Sequence, residues 1–416
     1  MEAMSTTART TDVAALALEY GDRVVVGTVR EVHAAVARRA FRATRLIGGR
    51  IPESVHDAVA STVYGGVSGA LRLSGRTARS LASRGFGAPL DDSRLGRQVR
   101  SALNGAIGDQ LRLAGDPQTI TMAVRQAGVD VPPSSWWLRK AFPDATGHVV
   151  LFVHGLCEND ESWRLGAARR PTYADRILAE TDATPVAVRY NSGLHVSENG
   201  RHLAELLGDL VDHWPVAVDR ITLVGHSMGG LVVRAATNHA MVDGHRWVDR
   251  VTDVVCLGTP HAGSALEKAA HLGSRLLRFW PETTPFGGLL DSRSAGIVDL
   301  RHGYISADEW QGQDLTARWG LDRIAAAPVP HAEYHFVAAT LGASSRHPLS
   351  ALLGDLVVHL SSASGVGRHG PVVAGAGLEY LPSASHLGLL NHPRVGDWLV
   401  AWITARPRRV RRLESS

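Results

Sequence analysis

The chain has only two cysteines in 416 residues, Cys157 and Cys256, so no disulfide framework can hold it together, and a chain of this length does not need one. A reducing compartment is the simpler expectation. Lysine is as scarce, present only at Lys140 and Lys268, and arginine carries nearly all the positive charge. No run of eighteen apolar residues occurs, so no segment is expected to cross a membrane as a single helix. The opening MEAMSTTARTTDVAALALEY has no basic leader before a long apolar stretch and does not read as a secretory signal. These absences predict a cytoplasmic protein, with peripheral membrane contact left open. Histidine, cysteine and carboxylate clusters with metal-ligand spacing are missing too, so no metal and no cofactor is expected; a calcium site built from carbonyls would leave no such trace.

What is present is a formal net charge of +4 and a pI near 9.3, unevenly spread. Residues 1–145 carry nineteen Lys/Arg against thirteen Asp/Glu, and the closing ARPRRVRRLESS adds five arginines, which leaves the middle close to neutral. No aromatic residues interleave with the arginines, so nucleic acid is not an expected partner, and coding preference for arginine and alanine fits the same bias. The mixed composition suits a globular protein of one large domain with an extension, or of two domains.

Two rhythms divide the chain. The first third reads as helical, with RVVVGTV its single strand-like run. In PESVHDAVASTVYGGVSGALRL, Ser54 and Asp57 suit a capping box, and Val55, Val59, Val63 and Val67 draw one apolar stripe. Gly65, Gly66, Gly69 and Ala70 would let a second helix approach closely. Core packing and a membrane-surface helix both fit this pattern. GVDVPPSSWWLRKAFPDATG, with three prolines, then reads as a linker. From His148 onward short β-branched runs alternate with helical stretches, the signature of an α/β layer structure with a mainly parallel sheet. HVVLFVHG, PVAVRY, RITLVGHS, VTDVVCLGTP, YHFVAATLG and GLEYL are the expected strands. The domain expectation is therefore a helical N-terminal extension over residues 1–145 and an α/β domain over 146–416, interrupted by a helical cap at about 264–333. HPRVGDWLVAWITARP closes the chain with Val395, Trp398, Leu399, Trp402 and Ile403 at helical spacing.

Gly225-His226-Ser227-Met228-Gly229 matches G-x-S-x-G, preceded by the strand-like RITLV and followed by the helix-compatible MGGLVVRAATNHA. That setting turns the pentapeptide into a sharp elbow, whose central residue is strained and whose flanking Gly225 and Gly229 remove colliding side chains. A serine hydroxyl needs a base to take its proton. His386, in LPSASHLGLLNHP after the last expected strand, has the right place in the chain order Ser, Asp, His, whereas His392 lies directly before a proline and suits a capping or surface role. Asp355 is the one carboxylate between Glu333 and Glu379 and is the expected acid; Asp291 and Asp299, in the cap, are the fallback. Two N–H donors would hold an oxyanion, one from Met228 and one from Leu156, where the glycine of His154-Gly155 lets the backbone turn inward. His154 is expected to buttress that loop. Cys157 reads as a buried small residue. His261, in GTPHAG, suits either a site-lining position or a structural turn.

On VHGL, VGHSMGGLV, LGTPHAGS, GDLVV and SHLGLLNHP, in that order, residues 148 to 404 resemble the α/β-hydrolase superfamily, and within it bacterial lipases and hydrolases related to inositol deacylases of glycolipid anchors. The resemblance implies Ser227 as nucleophile, Asp355 as acid, His386 as base, and Leu156 and Met228 as oxyanion donors, with a lipid-like carboxylic ester as substrate. An acyltransferase would use the same triad. A binding protein with a non-catalytic hydrolase fold, anchored to a membrane or partner through its N-terminal helices, is the alternative from another class. Residues 1–145 match no part of the usual core, and oligomeric state is not legible.

Overall fold

Val149, Val150, Leu151, Phe152 and Val153 are all buried, and a run of five such side chains in a row has no solvent face, which only a strand covered on both sides provides. This run is β3 (His148–Val153), near the centre of an eight-stranded sheet. The computed structural model describes residues 7–20, 72–261, 294–309, 327–340, 355, 358, 360–367 and 370–405. It divides into two units, one of 1–99 with 277–291 and one of 100–276 with 292–416.

The smaller unit contains α1 (Thr10–Tyr20) and helical backbone over 72–83, tied by the Arg79 guanidinium to both oxygens of Glu19 at 2.7 and 2.6 Å. The valine-striped segment and RVVVGTV lie outside the described residues, as does most of the expected cap.

In the larger unit the strands are β1 (Ala123–Gln126), β2 (Val129–Val131), β3, β4 (Ala183–Arg189), β5 (Arg220–His226), β6 (Val251–Leu257), β7 (Glu333–Thr340) and β10 (Gly377–Pro382), with β8 (Val366–Gly367) and β9 (Gly370–Pro371) forming a separate ribbon. The order across the sheet is β10-β7-β6-β5-β3-β4-β1-β2. From β10 to β4 all neighbours are parallel; β1 runs antiparallel to β4 and β2. All six strands expected from His148 onward are present. The mainly parallel α/β architecture is thus the observed fold.

Two expectations for the first third need correcting. Residues 123–131 are strands of the main sheet, and the expected linker holds β2 and the short helix α3 (Ser135–Ala141). The hairpin is four plus three residues, too short for a hydrophobic period to register. Its anchor is polar: Arg125, buried, pairs with Asp130 and with Asp160 at 3.1 Å, and Arg189 of β4 reaches Asp130 at 2.8 Å. Residues 123–131 thus extend the same sheet that holds β3 and β5.

Helices cover both faces. α2 (Arg94–Leu113) enters this unit at Arg100 and leaves helical geometry at Ile107, where φ is −143°. The Asn104 side chain fastens it to the segment before β1, donating to Gln118 O at 2.8 Å and accepting from Ile120 N–H at 2.9 Å. α4 (Tyr173–Glu180) starts on a Thr172–Asp175 capping box. α5 (Val196–His213) and α6 (Met228–Asp243) pack side by side, and α7 (Ala295–His302) lies within the span expected to be cap. α8 (Pro393–Thr404) closes the fold with Val395, Leu399 and Ile403 buried at the expected spacing. Burying each such aliphatic side chain contributes about 1.5–3 kcal/mol. Among the described residues, no helix is long and apolar enough to cross a membrane.

Candidate active site

β5 ends at His226 and α6 begins at Met228, so one residue must reverse the chain between them. Ser227 does this at φ 53°, ψ −122°, a conformation that L residues adopt only under constraint. The glycines make it possible: a methyl on Gly225 would collide with the backbone of Gly229 and Gly230, and one on Gly229 with the carbonyls of Val153 and His154. Ser227 N–H donates to Leu257 O of β6 at 2.8 Å, which fixes the turn to the neighbouring strand. The hydroxyl thus stands at the carboxyl ends of the parallel strands, where open α/β sheets place their ligands.

His386 and Asp355 meet beside it. His386 Nδ1 lies 2.7 Å from Asp355 Oδ2, and both residues are buried. Asp355 is itself held: its other oxygen accepts from Val358 N–H at 2.8 Å, and its carbonyl accepts from His386 N–H at 3.1 Å. A ring nitrogen facing a carboxylate is a donor, which leaves Nε2 as the acceptor. Burial pulls the His386 pKa down, but the charge and hydrogen bond of Asp355 and the charge of Glu158 push it up, and the result lies above the ordinary histidine value. Gly258, at φ 59°, lets the imidazole lie close, since a methyl there would sit 3.1 Å from its Nδ1. Ser227 Oγ makes no hydrogen bond to His386 in this structure.

The loop after β3 faces the elbow. A methyl on Gly155 would come within 3.1 Å of Ser227 Cβ, so this loop passes directly over the serine. Neither the Leu156 nor the Met228 backbone N–H is engaged by another described group. The His154 ring is wedged behind: Nδ1 donates to Gly155 O at 2.8 Å, Nε2 accepts from Tyr190 N–H at 3.3 Å, and the ring stacks on Tyr190 at 4.3 Å. Burial pushes this imidazole down to about 4, so it is neutral and buttresses the loop. Cys157, at φ 61°, donates its N–H to Ser192 Oγ at 3.0 Å, and burial pushes its thiol up to about 12, far from the thiolate a nucleophile needs.

The remaining candidates fall elsewhere. Asp299 is buried against His195 at 3.0 Å and accepts from Val196 N–H at 2.8 Å, so it caps α5 and does not reach His386; Asp291 lies outside the described residues. His392 caps α8, accepting from Arg394 N–H at 3.2 Å. His261 is buried, 3.3 Å from Arg234 and packed at a tilt against Phe336. The sequence assigns no role to His226 or to Glu158, yet Glu158 accepts from both Gly155 N–H and His226. No local pattern marks the pair: Glu158 lies in the loop after β3 and His226 ends β5, and only the adjacent registers of those strands bring them together. An open cleft at the opposite ends of β3 and β5, lined by His148, Asp219 and Arg220, lies far from this chemistry.

Residues 144–318 match the family described as PGAP1-like alpha/beta domain. No curated protein sequence matches the chain significantly. Among solved structures, the mature lipase BlEst2 of Bacillus licheniformis is 16% identical, covering 62% of this chain and 91% of its own, with a TM-score of 0.41. A lipase-esterase related protein of Clostridium acetobutylicum is 15% identical over 62% of this chain and 96% of its own, with a TM-score of 0.37. The parallel sheet, the strained serine between β5 and α6, and the family match over residues 144–318 agree with one another: the core of this chain is similar to the PGAP1-like alpha/beta domain.

Proposed function

We propose that this protein is a serine hydrolase that cleaves carboxylic esters through an acyl-enzyme, with lipid-like acyl esters as its substrate class. The observation that carries the reading is Ser227 held at φ 53° beside the buried His386–Asp355 pair. In this mechanism His386 Nε2 takes the Ser227 proton as Oγ attacks the ester carbonyl, and Asp355 holds the tautomer and offsets the charge of the imidazolium. The N–H groups of Leu156 and Met228 receive the oxyanion. The alcohol leaves with the proton from His386, and a water activated by the same nitrogen releases the acid. The Ser227–His386 contact tightens in the Michaelis complex, as catalytic hydrogen bonds commonly do. The lipid preference rests on the resemblance to lipases and inositol deacylases.

A fluorophosphonate probe, which needs an activated serine, tests the mechanism: the wild type should label and hydrolyse esters, and Ser227→Ala should do neither. Near-normal hydrolysis by that variant would sink the mechanism, and absence of labelling in the wild type would favour a binding role. A panel of esters of graded acyl length tests the substrate class, with exclusive turnover of short soluble esters as the contrary result. Product analysis with an added acceptor alcohol separates hydrolysis from acyl transfer.

A further inference from the structure

His226, the second residue of the elbow, is fully buried, and both of its ring nitrogens face acceptors. Nε2 lies 3.2 Å from the backbone carbonyl oxygen of His386, and Nδ1 lies 3.1 Å from Glu158 Oε2. A carbonyl has no proton to give, so Nε2 carries one. A neutral imidazole would then turn a bare Nδ1 lone pair toward the Glu158 carboxylate, two acceptors face to face in a buried site. Glu158 Oε2 also accepts from Gly155 N–H at 2.9 Å, and receiving two donors at one oxygen suits a carboxylate better than a carboxylic acid hydroxyl.

We propose that His226 and Glu158 form a buried imidazolium–carboxylate pair that positions three parts of the site together: the oxyanion loop through Gly155, the nucleophile through the elbow backbone, and the base through the His386 carbonyl. Its catalytic consequence rests on the ester-hydrolase reading above; its proton count does not. Burial pushes the Glu158 carboxyl up, but the neighbouring His226 charge and hydrogen bond outweigh this and hold it below the usual carboxylate range. The groups packed around the pair are the His386 ring, 4.7 Å from the His226 ring with Asp355 behind it, the neutral His154, and the edge-on Trp163 ring at 6.2 Å. An unpaired imidazolium here would oppose the positive charge that His386 acquires during turnover. Paired with Glu158, it is electrically neutral as a unit and leaves that charge to Asp355. His226 and Glu158 are positioning residues, since neither touches the reacting atoms.

In Glu158→Gln the amide oxygen can still receive donors but carries no charge, so the second imidazole proton loses its counterion and is released. Full-length protein labelled with ¹⁵N-histidine reads this directly, the His226 signals being assigned by their loss in His226→Gln. The wild type at neutral pH should show both His226 nitrogens protonated, and Glu158→Gln should show a bare Nδ1. The variant's kcat should fall about tenfold with KM within about twofold, the pattern of a misplaced catalytic group. A wild-type His226 with one unprotonated nitrogen overturns the pair, and a Glu158→Gln enzyme with wild-type kcat overturns the positioning role. Should Glu158→Gln fail to fold, His226→Gln, whose two N–H donors sit on one nitrogen and do not span the acceptors that the two ring nitrogens reach, supplies the same kinetic readout. If wild-type protein does not label with fluorophosphonate, the ester-hydrolase reading falls while the nitrogen signals still decide the proton count.

Discussion

Ser227 keeps a backbone conformation that costs on the order of 1–3 kcal/mol because β5, α6 and the hydrogen bond to Leu257 leave no other path for the chain. Its proposed base is tuned by opposing forces: burial lowers the His386 pKa, and Asp355 with Glu158 raises it above the ordinary value. Only the neutral imidazole accepts the serine proton, so the acid limb of kcat/KM should lie above the pH of an ordinary histidine. Asp355→Asn removes the largest raising influence. The limb should move to lower pH while kcat falls by about 10³–10⁴-fold, as pH–rate profiles of the two proteins would show; an unmoved limb would count against Asp355 as the acid. At this scale the elbow and the pairing of His386 with Asp355 were legible, because chain order singles out His386 and isolation singles out Asp355. The His226–Glu158 contact was not, since two residues 68 apart are joined only by the neighbouring registers of β3 and β5.

Among the elements, α2 is the one whose role the sequence concealed. Its second half passes beneath the loop after β3: a methyl on Gly105 would collide with Cys157 Sγ and lie 2.8 Å from Cys157 N. Ser294 Oγ donates to Gly105 O at 2.7 Å, and Ala295 N–H to Asp109 Oδ2 at 3.1 Å, so the start of α7 rests on the same stretch. Gly105→Ala must therefore displace the Leu156–Cys157 backbone or the helix itself. We expect kcat on a short ester to fall at least tenfold, with a loss of stability of about 1–3 kcal/mol by denaturant unfolding. Unchanged kcat would separate α2 from the loop's geometry. The first third reads as helical from the sequence, but a glycine on a helix face does not reveal which loop approaches it.

Across the whole molecule, buried neutral histidines link stability to pH. Burial pushes His148 and His154 each down to about 4, whereas the unfolded chain protonates them near the ordinary 6.5. Between those values the unfolded state binds more protons, so stability falls on acidification by up to about 1.4 kcal/mol per pH unit for each ring. His195 and His386, raised in the fold, act in the opposite sense: their contribution is complete below the ordinary value and is lost as pH rises through their folded pKa. Chemical denaturation should give a lower midpoint at pH 4.5 than at pH 6.5, and His148→Gln should flatten that difference. The sequence by itself determined the parallel α/β core and the elbow, because continuous β-branched runs and a glycine-flanked serine leave few alternatives within a few residues of each other. Tertiary structure alone decided that 123–131 completes the sheet, that α2 underlies the loop after β3, and that His226 meets Glu158. Those contacts join residues distant along the chain, held by polar pairing and close backbone approach that leave no local period to read.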